Sequence, residues 1–356
     1  MQQTQNLPVD QVFYNMVLNN DQTATANIPV IFDKVLDRSI LPGKTNDWES
    51  SSVRFSVPLF SVPLFTYIPG SEKLTLTFST YSTTQDVPIV DRSAIPIYNY
   101  QVFEMTQYMQ MLNQCVQNCC DILDAQYYAV TSGHLSIVTS TAPNPTYDPL
   151  LPISLTNLEF IQTFTKPYFI YDKLTERISV YAKDTYFEDT VTNIYKLLEN
   201  NALYTKIKGI DDYYTGILNM EHQIFFHDNL DNIDTNGIIQ NMQQSDNFSN
   251  LTDFVGVEIT TNMPCQLQYT DQGTGENIFI SYIPTKMTIA DFHSNLIYNA
   301  IIPYNQSQLL SDSVLSELMF RVRWTNIRGE KTLLDMPPNT HAEIKIFFQR
   351  RESAKY

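Results

Sequence analysis

The chain predicts an all-β sandwich with insertions, and three observations lead there. Short segments in which apolar and polar residues alternate recur along most of the length, the period-2 signature of half-buried strands. Only one long segment carries clear helical spacing. Glycine is scarce, 10 of 356 residues, while Tyr and Phe number 22 and 20. A chain with so few glycines is neither collagen-like nor built around the Gly-rich loops of nucleotide folds, and its irregular strand spacing excludes a propeller or solenoid. A length of 356 residues holds one elaborate domain or two modest ones.

Residues 1–26 are polar and weakly patterned and read as an N-terminal arm that a partner orders. Val53, Phe55, Val57 and Leu59 then alternate with Arg54, Ser56 and Pro58 as a half-buried strand. The unit Ser56-Val57-Pro58-Leu59-Phe60 repeats at once as Ser61-Val62-Pro63-Leu64-Phe65. A repeat of odd length inverts the facing of a strand, so a bulge or bend is expected there, and the prolines argue for a sheet edge. Leu74, Leu76 and Phe78 mark the next strand. In the helix that follows, 100–123, Val102, Met105, Met109, Leu112, Val116, Cys120 and Leu123 step by 3 or 4.

Short strands are predicted next at 134–140 and 158–165, then a pair at 169–171 and 178–181. Thr185 and Glu188 resemble a capping box opening a second helix at 190–200. The last third returns to strands at 254–260, 266–269, 278–283, 318–324 and 341–349, with Gly273-Thr274-Gly275 as a hairpin turn.

The formal net charge is −16, from 22 basic and 38 acidic residues, which argues against a protein that coats nucleic acid. The charge is uneven. Residues 184–258 carry 13 acidic and 3 basic side chains (net −10), and residues 321–356 carry 8 basic and 4 acidic (net +4). The expected organisation is an arm at 1–26, a sandwich built from 27–183 and 259–352, an acidic insertion at 184–258 and a tail at 353–356. No run approaches 18 apolar residues, so no membrane span is expected. The N-terminal residues have neither the basic nor the apolar region of a signal peptide. Cys115, Cys119, Cys120 and Cys265 lack the spacing of a disulfide framework, so a reducing compartment is expected, and the sequons at Asn247, Asn250 and Asn305 read as chance matches.

Candidate chemistry is sparse. Gly43-Lys44-Thr45 ends like a phosphate loop, but Arg38 stands where the first glycine belongs. Residues 232–237 mimic the start of a calcium loop, yet Asn232 holds the first ligand position and Gln243 the twelfth, where a bidentate Glu is needed. The three clustered cysteines lack a second ligand pair for zinc and read as small packing residues. His134, His222, His227, His293 and His341 form no helical ligand pair, although a Cys–His pair could still form in space. No nucleophile elbow occurs. The chain is therefore read as a non-enzyme without cofactor or metal.

Three blocks resemble the penton (minor capsid) proteins of virophages, Polinton/Maverick elements and adintoviruses. They are Ser52-Val53-Arg54-Phe55-Ser56-Val57-Pro58-Leu59, the helix 100–123 with Met111-Leu112-Asn113, and a closing pattern. That pattern runs Leu318-Met319-Phe320-Arg321-Val322-Arg323-Trp324, then Gly329, then Ala342-Glu343-Ile344-Lys345-Ile346-Phe347-Phe348 followed by basic residues. The resemblance implies a single jelly-roll sandwich with a helix-containing insertion, sitting in the virion as a homo-pentamer at the capsid vertices beside the major capsid protein. In that setting Phe55, Trp324, Phe347 and Phe348 are assigned to the core. Arg350, Arg351 and Lys355 are placed at the inner capsid surface, in weak contact with packaged nucleic acid or as a solvated terminus. The acidic 184–258 stretch is either an outward-facing insertion available to a host receptor or ordinary loops of the same sandwich. The other readings are a β-sandwich recognition module binding glycan or protein in an attachment role, and a cupin-like or hydrolytic enzyme, since jelly rolls host all three.

Overall fold

The computed structural model describes residues 10–21, 26–36, 40–78, 81–90, 100–131, 166–183, 195–210, 212–217, 220–224, 226, 238–244, 251–266, 277–285, 287–300 and 307–351. The chain forms two compact units: residues Met1–Leu64 with Asp253–Tyr356, and residues Phe65–Thr252 between them in sequence.

The first unit is a jelly-roll sandwich of two antiparallel sheets. One sheet runs Gln11–Asn19, His341–Arg350, Trp48–Pro58, with Asn295–Asn299 and Ser307–Leu309 sharing the far side of Trp48–Pro58 and Cys265–Gln266 beyond. The other runs Asn277–Tyr282, Phe254–Thr261, Glu317–Asn326, with Ile31–Val35 and Lys331–Leu333 sharing the far side of Glu317–Asn326. Strict alternation sets which residues enter the core. Leu318, Phe320, Val322 and Trp324 point inward from one sheet; Ala342, Ile344, Ile346 and Phe348 point inward from the other, and all eight are buried. Phe55 lies beside Ile344 and within 5.1 Å of Tyr298 and 5.8 Å of Tyr282, ring to ring. Each such side chain contributes about 1.5–3 kcal/mol on leaving water.

Three expectations change here. Residues 11–19, read as part of an arm, form a nine-residue strand along His341–Arg350, anchored where Arg350 N–H donates to Asp10 O and Asn20 N–H donates to Thr340 O. Trp48–Pro58 is central rather than an edge; Pro58 is tolerated as its last residue, and a bulge opposite Lys345 and Ile346 absorbs Val53. The doubled Ser-Val-Pro-Leu-Phe unit is where the chain bends out, through a turn in which Val62 N–H donates to Leu59 O. The expected turn at 273–275 and the strands at 134–140 and 158–165 lie outside the described residues. The strands flanking that turn pair elsewhere, Cys265–Gln266 with Ser307–Leu309 and Asn277–Tyr282 with Phe254–Thr261.

The second unit holds a five-stranded antiparallel sheet ordered Asp212–Ile217, Met220–Ile224, Tyr195–Glu199, Lys73–Phe78, Tyr81–Asp86, and a three-stranded one ordered Ile238–Met242, Arg177–Lys183, Tyr168–Asp172. A long helix, Met105–Thr131, packs on both. The predicted stripe is buried, and a second stripe of Tyr108, Met111, Cys115 and Cys119 is buried beside it. The Cys115 and Cys119 thiols donate to Gln85 O and Leu74 O in the larger sheet, while Asn113 Nδ2 donates to Phe169 O and its Oδ1 accepts from Phe169 N–H in the smaller. Instead of a helix at 190–200, Tyr195–Glu199 pairs as a strand with Lys73–Phe78. A short helix, Asn201–Ile207, begins immediately after, capped by Asn200, which accepts from Leu203 N–H. The second unit begins at Phe65 and so takes in the long helix as well as most of the 184–258 stretch.

Candidate functional site

The motifs with chemical overtones resolve into local structure. Thr45 is buried in a 3-10 turn, where its hydroxyl donates to Ser313 O, and Gly43 takes a positive φ of 85° in the loop before it. Residues 232–237 lie outside the described residues. Gln243, the twelfth position of that calcium-loop pattern, is buried: its Oε1 accepts from Ile178 N–H and its Nε2 donates to Lys208 O. It anchors a strand. All four cysteines are buried and none is in a disulfide, and burial pushes the Cys265 thiol up to about 12. His134 and His227 fall outside the described residues. Among the described residues, no three His, Cys, Asp or Glu side chains converge as metal ligands.

A buried polar cluster that sequence reasoning missed lies on the helix-facing side of the five-stranded sheet. Tyr108 Oη donates to Glu72 Oε2 at 2.6 Å, and both residues are buried. Burial raises the Glu72 carboxyl to about 7 from an ordinary 4.5, opposed by the Tyr108 hydrogen bond and the Lys206 ammonium. Glu199 is held well above its usual range by burial and by Asp212, and its Oε2 has no hydrogen-bond partner among the described residues. On the next strand His222 faces Glu199, pairs through Nδ1 with Asp212 Oδ2 and stacks on Tyr204 with ring centroids 3.7 Å apart. The one signal available was alternation: Glu72 precedes Leu74 and Leu76 on the same face, and Tyr108 opens the second helical stripe. The arrangement favours the neutral form of both carboxyls inside the unit, a structural arrangement with a pH response.

The surface that remains is the outer face of the first sheet of the sandwich. Phe13 and Val17, 58% and 54% exposed, lie on it with Ile297, 49% exposed. Phe347 also points outward, but the Phe13 ring covers it at 4.8 Å and leaves it 7% exposed. Trp324 is 7% exposed, and Phe55 and Phe348 are fully buried. Arg350 faces Asp47 at 3.9 Å and Arg351 faces Glu49 at 4.0 Å, so the basic end of the last strand is partly compensated. Lys355 lies outside the described residues. No helix among the described residues is long and apolar enough to cross a membrane.

No family model matches the sequence, and no curated protein matches it. Solved structures do. A chain of the Sputnik virophage, determined at 3.5 Å resolution by cryo-electron microscopy, matches with a TM-score of 0.69 at 18% identity, over 98% of this chain and 99% of that one. The penton protein of mavirus matches with a TM-score of 0.64 at 12% identity, over 96% and 99%. The fold is that of the mavirus penton protein. Coverage this complete means that the penton-type fold includes the inserted unit as well as the sandwich. At such identity the likeness lies in the course of the backbone, and the side chains that fill it are almost all different.

Proposed function

We propose that the chain is a structural capsid protein, a penton subunit that forms pentamers at the five-fold vertices of an icosahedral virion. The observation that carries this reading is the end-to-end match to the mavirus penton protein, 96% of one chain on 99% of the other. The side-chain chemistry supports it. Glu72, Tyr108, Gln243 and Asn113 are committed to internal bonds, and the outermost strand of the sandwich exposes Phe13 and Val17, side chains suited to protein contact. In a five-fold ring one patch of each subunit fits a different patch of the next. The remaining contacts are with the major capsid protein.

Arg350, Arg351 and Lys355 are proposed to face the capsid interior. The pairs of Arg350 and Arg351 with Asp47 and Glu49 are long and partly exposed, so contact with packaged nucleic acid is weak and salt-sensitive. The acidic stretch within 184–258 is proposed to face outward, where a host receptor would meet it. Light scattering on the purified chain, with negative-stain images of the same sample, tests the ring. The expected result is a mass of five times 41.0 kDa with five-fold rings. Trimers would move the reading to a major-capsid or spike role, and a monomer with measurable glycan affinity would favour a recognition module.

A further inference from the structure

We infer that Gln11–Asn19 is a homotypic docking strand, through which two copies of the chain pair antiparallel about a two-fold axis at Asn15. The strand is the outermost of its sheet, paired on one side only among the described residues. The bonds at its two ends set the parity of the ladder. Arg350 N–H donates to Asp10 O and Asn20 N–H donates to Thr340 O, so the even residues bond inward to His341–Arg350. The odd residues, Gln11 to Asn19, therefore turn their N–H and C=O groups to the open edge.

Natural edge strands are guarded by charges, prolines or brevity. This one has nine residues, no charge and no proline. It also leaves the sandwich unfinished. Tyr14 and Leu18 point toward the core beside buried Ile346 and Ala342, yet remain half-buried. They line a cavity of ≈ 310 Å³ whose other wall is the edge strand of the other sheet, Ile31–Val35, through Ile31, Phe32, Asp33 and Lys34. An added strand would complete the ladder with its odd residues and close the core with its even ones, the geometry of β-augmentation.

The strand's own order names the occupant. Read outward from Asn15, Tyr14 mirrors Met16, Phe13 mirrors Val17, Val12 mirrors Leu18 and Gln11 mirrors Asn19. Apolar meets apolar and polar meets polar at every step, and no like charges oppose. With the axis at Asn15, the bonded pairs of the new ladder are Asn15 with its copy, Phe13 with Val17, and Gln11 with Asn19. These are the odd residues that the inward ladder leaves free, so pattern and parity agree. The exposed Phe13 and Val17 rest on each other's copies across the outer face. This contact is two-fold, so it is separate from the five-fold ring proposed above and forms or fails independently of it.

Oxidative cross-linking of the full chain carrying Asn15→Cys tests it, read on a non-reducing gel. Paired residues in such a ladder have Cα atoms about 5.5 Å apart, within disulfide reach. The four native cysteines are buried. The expected product is a species of twice 41.0 kDa. The same chain with Phe13→Cys instead should stay uncross-linked, because each residue 13 would sit about 13 Å from its copy. Adding Val17→Pro to Asn15→Cys should lower the cross-linked yield at least about tenfold, because residue 17 turns its N–H to the open edge and proline removes that donor while leaving the inward ladder intact. Absence of the Asn15 product overturns the inference, including the case in which a different strand occupies the edge. Equal cross-linking at Phe13, or no loss with Val17→Pro, overturns it as well.

Discussion

At the scale of single residues, the buried acids of the inserted unit carry the clearest energetic consequence. Glu72 sits against Tyr108 from the long helix, with Lys206 as the nearest counter-charge, and its carboxyl titrates near 7 rather than 4.5. Between those two values the folded chain holds a proton that the unfolded chain has released. Stability therefore falls as pH rises from about 4.5 to 7 and levels off above that. A shift of this size corresponds to a loss on the order of 3 kcal/mol. Glu72→Gln, which keeps the acceptor for Tyr108 and removes the charge, is expected to flatten denaturant-unfolding stability over this range and to raise it at pH 7.5. An unchanged slope would mean that Glu72 is solvated in the folded state. Glu199 adds to the same trend, because burial and Asp212 both favour its neutral form.

At the scale of elements, the Asn113 amide does the work of a neighbouring strand. It meets both backbone groups of Phe169, at 2.9 and 2.6 Å, and so ties the Tyr168–Asp172 edge strand to the helix. Asn113→Ala leaves those groups unpaired, at a cost of about 1–3 kcal/mol. Hydrogen exchange should show the Phe169 amide losing protection while Leu197, in the other sheet, keeps its own. Much of this architecture was legible in the sequence. Leu318 to Trp324 and Ala342 to Phe348 alternate because each faces the core on one side only, and the helix stripe through Met109, Leu112 and Val116 shows for the same reason. The failures also have a common cause. Tyr195–Glu199 buries both Leu197 and Leu198, and Gln11–Asn19 carries Phe13 and Val17 on its solvent side beside an apolar core side, so neither strand shows a clean period of two. In Gln11–Asn19 the two-sidedness that hides the strand from periodicity is also what marks it for docking. The Glu72 cluster was illegible because nothing in sequence brings residues 72, 108 and 199 together.

At the scale of the whole molecule, the sandwich is assembled from the two ends of the chain and the other unit from its middle. The two points where the chain leaves and rejoins the sandwich are neighbours, since Asp253 N–H donates to Leu64 O at 3.0 Å. The middle unit pairs locally by comparison, whereas Gln11–Asn19 and Trp48–Pro58 both pair with His341–Arg350, almost the length of the chain away. Contacts so distant form late. Pulse-labelling hydrogen exchange during refolding is expected to protect Leu197 before Met16, and simultaneous protection would refute that order. During synthesis the consequence is stricter. His341–Arg350 is the central partner of its sheet and is made after every other strand of it, so that sheet cannot close until synthesis has passed Arg350. Until then the first strand has neither its neighbour nor a finished edge. Nascent chains on one messenger, however crowded, therefore cannot dock through that strand until Arg350 has been made.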